Sequence, residues 1–276
     1  MIYKPKKAYG GWVGLFTGVA LFGFMIWGIG YGLDENDRTL QILLLAPIYI
    51  FLAGYLYALI GAFNMNYKIE PDALVIRWAL QKKRITWDQI TDIIQVKGQA
   101  NLYPYLGVSW PGYMFGLYSA KGLGSVRMYA SHTSEGFIFI KTEKGYYGIT
   151  PADQGMLTAM LDKSGKTMET INMDQMSREE KGEGIYEDRT FLLYYRLNYS
   201  FLLIFAAYLG IFFPGSGASK FLIILLVMAL ALYIFNVGNA KRIYQFSAHG
   251  AYLTLLMQLM VTGMFIILAV FGIGLG

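Results

Sequence analysis

The sequence predicts an α-helical membrane bundle of five transmembrane helices, with a cytoplasmic α+β domain inserted between the second and third. Three observations carry this. Apolar residues make up 55% of the 276-residue chain and charged ones only 15%, with a mean hydropathy of +0.42, whereas soluble domains carry about 25% charged residues. Five long runs are almost free of charge. Finally, 15 basic and 15 acidic residues crowd between Asn64 and Arg189, so the low overall charge averages two unlike parts. The expected organisation is helices one and two over residues 1–63, the inserted domain over 64–166, an acidic linker over 167–190, and helices three to five over 191–276.

The runs are Gly11–Leu33, Thr39–Tyr67 (interrupted by little except Pro47), Leu197–Ser219, Phe221–Ala240, and Ile243 onwards. Each reaches the roughly 20 residues that cross about 30 Å of hydrocarbon. The third is the least well defined at its start, where Arg196 and Asn198 lie. Lys4, Lys6 and Lys7 precede the first run as a signal peptide's basic start would. That run is too long for a signal peptide and lacks a small-residue cleavage site, so it is expected to be retained. Gly10, Gly14 and Gly18, spaced by four, form a small-residue stripe that favours close helix packing within the bundle or with another subunit. The basic N-terminus, the acidic loop around Asp34, Glu35 and Asp37, and the basic pair Lys241–Arg242 place the N-terminus and the inserted domain in the cytoplasm and the C-terminus outside.

Within the insert, Leu74, Ile76 and Trp78 alternate on one face of a strand. Gln81–Arg84 reads as a polar turn, after which Ile85-Thr86-Trp87 resumes the alternation. Phe137–Ile140 and Tyr146–Ile149 read as a hairpin turning at Gly145. Thr150 is the expected N-cap of a closing helix with Pro151 in its first turn, and Met156, Leu157, Met160 and Leu161 form its apolar stripe. The segment up to Met168 is net basic and that from Glu169 to Arg189 net acidic. The latter is read as a solvated connector, part helical between Met168 and Lys181, in preference to a mask or partner-binding tail.

Two segments are candidate binding surfaces. Lys82, Lys83 and Arg84 form a basic turn. It is either merely solvated, the preferred reading, or attracted to anionic headgroups at about 1 kcal/mol per residue. Residues 102–116 carry Tyr103, Tyr105, Trp110, Tyr113 and Phe115 with two prolines and no charge, and the prolines argue against a central strand. This loop either lies at headgroup depth, where amphipathic rings are favoured, or buries its rings in the domain. Contact with the membrane or the helix bundle is preferred.

The stretches Tyr67–Trp78 and Lys83–Ile94 resemble the opening strands of bacterial pleckstrin-homology-like (PH-like) domains. Gly116–Ala130 is similar to the central segment of one subfamily, and Gly145–Asp153 to its final strand and the start of its helix. The resemblance covers roughly 100 residues. It implies a strongly bent, seven-stranded antiparallel sheet capped by one C-terminal helix, in a family that includes membrane-anchored scaffold and accessory proteins. Fold alone does not imply function.

Motifs for chemistry are largely missing. Without cysteine, disulfides, thiol catalysis and Cys-based metal centres are excluded. Gly165-Lys166-Thr167 matches only the tail of a phosphate loop, with Met160 where its first glycine belongs. Gly28, Gly30 and Gly32 end a helix instead of following a strand. His132 and His249 have no metal-ligand spacing, and no catalytic, cofactor or metal residues are assigned. The apolar runs contain Gln41, Asn236, Asn239 and Gln258 but no carboxylate; such amides usually bond between helices. The expected function is therefore a non-enzymatic, protein- or lipid-binding scaffold or accessory subunit. Its partners would be the lipid bilayer and a protein of a membrane complex, with self-association possible in principle and no nucleic acid or cofactor. The alternative is a transporter or export accessory, including an immunity protein, regulated by the PH-like domain. That reading requires a polar cavity near Arg196, Asn236 and Gln258.

Overall fold

The structure, a computed structural model, describes the chain except for residues 7, 99, 121–122, 132–135, 178–183, 214–218 and 272–276. It divides into two compact units, residues 1–17 with 53–183 and residues 18–52 with 184–276.

The first unit is built on two sheets. Strand β1 (Ile2–Tyr3) precedes helix α1 (Gly10–Gly32) and helix α2 (Arg38–Asn64). Strands β2 (Asn66–Ile69), β3 (Ala73–Trp78) and β4 (Gln81–Thr86) follow, and the four form an antiparallel sheet in the order β1-β2-β3-β4. Next come β5 (Ile90–Lys97), β6 (Leu102–Trp110), β7 (Tyr113–Ala120), β8 (Gly124–Ala130), β9 (Ile138–Thr142) and β10 (Gly145–Ile149). Helix α3 (Gln154–Ser164) and strand β11 (Met168–Asn172) complete the unit. The second sheet has seven strands in the order β11-β5-β9-β10-β8-β7-β6.

The core follows from the alternation. Leu74, Ile76 and Trp78 of β3 and Ile85 of β4 face Ile93, Ile140, Tyr147 and Ile149 of the large sheet, and Met156 and Met160 of α3 close the layer. The opposite face of the large sheet buries Val96, Met114, Val126, Met128, Phe137 and Phe139. The Tyr67 hydroxyl crosses between the sheets, donating to Tyr129 O at 2.7 Å and accepting from Thr150 N at 3.2 Å. Burial, outweighing the two bonds from Thr150, pushes that phenol up to about 12, so it stays a neutral strut.

Several expectations are corrected here. The sheet is neither single nor wholly antiparallel, because β10 runs parallel to β8 and β11 parallel to β5. Gln81–Arg84 is strand, and the turn lies one step earlier at Ala79-Leu80. Ala79 adopts φ 48, which an alanine tolerates because the Asn64 amide grips it from both sides: Asn64 Nδ2 donates to Ala79 O and Ala79 N to Asn64 Oδ1, each at 2.9 Å. The N-cap of α3 is Asp153, whose Oδ1 accepts from Gly155 N at 2.8 Å, while Thr150 is buried and bonded to Ser131. Gly165 ends α3 in the left-handed region at φ 63, which explains the glycine of the Gly-Lys-Thr triplet as a helix terminator. Residues 168–172, expected in the linker, extend the sheet as β11, while residues 178–183 of that linker lie outside the described chain.

The second unit contains helices α4 (Arg189–Phe212), α5 (Lys220–Tyr244) and α6 (Ala248–Phe271), together with the parts of α1 and α2 from Gly18 to Leu52. Leu202, Phe205, Leu209, Leu225, Ala229 and Phe265 form its core. Along α1, Gly28 faces Val227 and Gly32 faces Ile224. α4 starts eight residues before the apolar run because Asp188 caps it, accepting from Thr190 N and Phe191 N at 2.8 and 3.1 Å. Five helices, α1, α2, α4, α5 and α6, are long and apolar enough to cross a membrane.

The layout is not a five-helix bundle carrying a self-contained insert. Helices stand at both ends of the chain around a central β region, and residues 10–17 of α1 and 53–64 of α2 belong to the β unit. The cause is the smallness of Gly10, Gly14, Ala58 and Gly61, which lets bulky β side chains reach the helix backbones.

Candidate functional site

The aromatic segment 102–116 is a β-hairpin, β6 and β7, at the edge of the large sheet. As an edge strand β6 accommodates Pro104, whose pairing slips by a bulge before Leu106. The hairpin turns at Pro111-Gly112, with Gly112 at φ 81, the residue pair that a type II turn favours. Trp110 and Tyr113 therefore stand paired at the tip.

That tip is seated on the helix ends of its own unit. Trp110 Nε1 donates to Gly10 O at 2.7 Å. Tyr113 Oη donates to Ala58 O at 3.1 Å and accepts from Trp78 Nε1 at 2.5 Å. Tyr55 Oη donates to Gly14 O at 2.5 Å, and its ring lies 5.4 Å from that of Trp110. Phe115 stacks on Trp78 at 3.3 Å with planes 4° apart, and meets Tyr129 edge-on. Burial pushes the Tyr113 hydroxyl well above its ordinary range, so it serves as a fixed donor and acceptor, not as an acid or base. The indole and phenol heads bond to helix backbone carbonyls while their rings fill space, the combination that makes Trp and Tyr useful where apolar and polar surroundings meet.

The glycine stripe serves this seat. A Cβ at Gly10 would overlap the Gly112 carbonyl, and one at Gly14 would come within 2.9 Å of the Trp110 ring. Gly10 thus receives the hairpin, while Gly14 receives both the Trp110 ring and Leu59 of α2. Gly18 is buried in the other unit. Of the five aromatics, Trp110, Tyr113 and Phe115 come together. Tyr103 is buried further back along β6, and Tyr105 faces outward beside the exposed Leu106.

The three basic candidates are not brought together. Alternation on β4 sends Lys82 and Arg84 to one face and Lys83 to the other. Arg84 is neutralised by Glu70 at 2.6 Å and by Asp72. Lys83 instead joins Arg127, the two cations lying 5.6 and 5.7 Å from the Tyr147 ring centre.

Sequence reasoning missed Trp78, Tyr55 and Ala58 as partners of the hairpin, and Gly61 as the residue on which Trp78 rests. The Trp-Pro-Gly-Tyr turn was the available signal. It also missed Asp188, read as a linker acid, whose buried carboxylate accepts from Tyr244 Oη at 2.8 Å and from Tyr252 Oη. Burial raises its affinity for a proton, but the bonds from Tyr252, Phe191 N–H, Tyr244 and Thr190 N–H outweigh this and hold the carboxyl below the usual aspartate range. In the helical unit Asn236 Nδ2 donates to Gln258 Oε1 at 2.6 Å, while Arg196 is exposed and joins neither. His132 lies outside the described residues; His249 packs near Tyr252.

No curated protein and no solved structure matches the chain. One family profile, described as "Bacterial PH domain", matches residues 65–164, which run from the end of α2 through β2 to the end of α3. The β region over residues 65–164 is thus a PH-like domain of the bacterial family.

Proposed function

We propose that the protein is a non-enzymatic, multi-pass membrane scaffold whose PH-like domain is a binding module held against its own anchor helices. The carrying observation is the seat of the β6–β7 tip, where Trp110 and Tyr113 bond to backbone carbonyls of α1 and α2. Contacts of this kind join the PH-like domain to the first turns of α1 and the last turns of α2, as a module recruiting a partner to a membrane complex requires. Large apolar side chains such as Phe16, Trp27, Ile50, Phe51, Ile211 and Met260 are exposed along the five helices, a surface suited to lipid. Strand β1 pairs with β2, so both ends of the α1–α2 pair return to one unit, as two membrane crossings demand. The basic N-terminal segment supports a cytoplasmic location for that side.

The test is crosslinking in native membranes followed by pull-down, alongside vesicle retention of the full chain's cytoplasmic face. A defined protein recovered with the wild type and lost with Trp110→Ala, at equal membrane insertion, supports the scaffold. Recovery of no partner, together with indifference to anionic lipid, overturns it. The transporter alternative draws on one observation, the amide pair Asn236–Gln258 inside the helical unit, set in a core otherwise packed by Leu, Phe and Ala.

A further inference from the structure

Within the first unit, the last turns of α2 carry a boundary between apolar and polar surface. Leu56, Ile60 and Phe63 are exposed, and their spacing puts them on one face of the helix. Trp12, in the first turn of α1 and 56% exposed, meets the Phe63 ring edge-on at 5.6 Å. The exposed apolar face ends there, and Asn64 closes the helix. An exposed indole beside the last apolar turn of a membrane-crossing helix belongs at headgroup depth.

The β3–β4 turn is fastened at that level. The Asn64 amide holds Ala79 through two hydrogen bonds, and Asn66 Nδ2 donates to Asn64 O at 3.0 Å. On the outer face of the small sheet the register sets Asn66 beside Arg77, and Arg77 directly opposite Lys82. Opposed side chains have Cβ atoms about 5 Å apart, so two cations share one place next to the end of α2. Both are exposed, and no carboxylate among the described residues pairs with either. The far end of the same face is arranged differently. There Lys68 and Arg84 share Glu70, and Arg84 also pairs with Asp72. Like charges directly opposite one another are destabilising, and the carbonyl end of α2 offsets only about half a charge. An anion between the two removes the repulsion.

We propose that, with α1 and α2 crossing the membrane as the proposed function has them, Arg77 and Lys82 hold the phosphate of an anionic lipid headgroup at the end of α2. The guanidinium offers a planar fork of donors and the ammonium a point charge, both suited to phosphate oxygens. Height selects a lipid over a soluble anion, because the pair stands where the helix surface turns from apolar to polar. Leu80, at the turn between the two strands, is 83% exposed, a cost in water that contact with lipid removes. Each cation beside an anionic leaflet is worth roughly a fivefold enrichment of anionic lipid.

The test uses the full chain, which has no cysteine, with Leu80→Cys carrying an apolar fluorophore. The labelled chain is set in nanodiscs of mixed phosphatidylglycerol and phosphatidylcholine, with an acyl-chain nitroxide quencher on one lipid or the other at equal mole fraction. Quenching several-fold stronger from phosphatidylglycerol, falling to parity in Arg77→Gln/Lys82→Gln with an unchanged unfolding transition, supports the site. Lys68→Gln removes a cation from the far end of the face and should leave the preference in place. Equal quenching by both lipids in the wild type overturns the proposal, as does a preference that survives the double glutamine variant. Loss of the preference in millimolar inorganic phosphate assigns the pair to a free anion and overturns the lipid. Only chain that resists alkaline carbonate extraction is scored. Chain that is extracted overturns the membrane-crossing reading, and this site with it, whereas the quenching outcomes bear on the site alone.

Discussion

Replacing Gly10 by alanine tests the seat of the hairpin at its tightest point. A Cβ there meets the carbonyl of Gly112 and the Cβ of Tyr113. The obstacle is backbone, held by the β6–β7 pairing and by the Trp110 bond to Gly10 itself, so no side-chain rotation relieves it. Overpacking of this kind costs about 1–3 kcal/mol, against a gain of about 0.5–1 kcal/mol from replacing glycine in a helix. The net expectation is a loss of roughly 1–2 kcal/mol. Gly14→Ala meets only the edge of the Trp110 ring at 2.9 Å and the tip of Leu59 at 3.1 Å, and should cost less. Gly23, on the same helix with nothing within 4 Å, should be neutral or slightly stabilising as alanine. The assay is thermal unfolding of the full chain in nanodiscs, followed by tryptophan fluorescence, with proteolysis of the hairpin as a second reading. An order other than Gly10→Ala below Gly14→Ala below Gly23→Ala would refute the reasoning. Equal stability of the first and third would show that the hairpin does not rest on α1.

Trp110→Phe keeps a ring at the tip but removes the donor to Gly10 O, and should cost about 0.5–1.5 kcal/mol in the same unfolding assay, with Trp110→Ala costing more. Asn64→Ala strips both bonds from the Ala79 turn and should cost about 1–3 kcal/mol; adding Ala79→Gly should recover part of it, because glycine adopts positive φ without strain, and non-additivity in the double-mutant cycle is the readout. The Asp188 carboxyl titrates below its unfolded value, so its contribution is complete above the ordinary aspartate range near pH 4 and is lost as pH falls through the lower folded value. Unfolding of the helical unit followed from pH 7 to 3 should show that acid-side loss in the wild type and a flatter profile in Asp188→Asn.

The helices were legible because twenty consecutive apolar residues have few other readings, and the hairpin at Gly145 because alternation and a turn glycine agree. The start of α4 was misplaced because hydropathy sees the apolar run and not its cap at Asp188. Gln81–Arg84 looked like a turn since three cations in a row suggest solvent, yet an edge strand can carry cations on both faces when one pairs with Glu70 and another lies over an aromatic ring. The aromatic hairpin was half legible. Its prolines argue correctly against a central strand, but they also suggested a loop where a β-hairpin stands, and which surface its rings met depended on partners fifty to a hundred residues away. Short strands such as β1, two residues long, have no periodicity to detect.

The N-terminal segment changes what counts as the insert. Ile2 and Tyr3 pair with Lys68 and Tyr67, Lys6 N donates to Thr150 O at 2.8 Å, and Ala152 N donates to Lys4 O at 3.1 Å. Ser131 Oγ donates to Lys6 O at 2.7 Å. Residues 1–6 are thus an edge of the β unit, and the chain leaves that unit to form α1 and α2 before returning at β2. The helical hairpin is inserted into the β fold, not the β fold into a helical bundle. Residues 65–164 cut out alone would lose strands β1 and β11 and uncover Trp78, Tyr113 and Thr150, three buried groups whose partners lie in or beside the removed segments. The PH-like region and the segments of α1 and α2 in its unit are therefore one folding problem, and the aromatic tip, expected at the membrane or the helix bundle, is the joint between them.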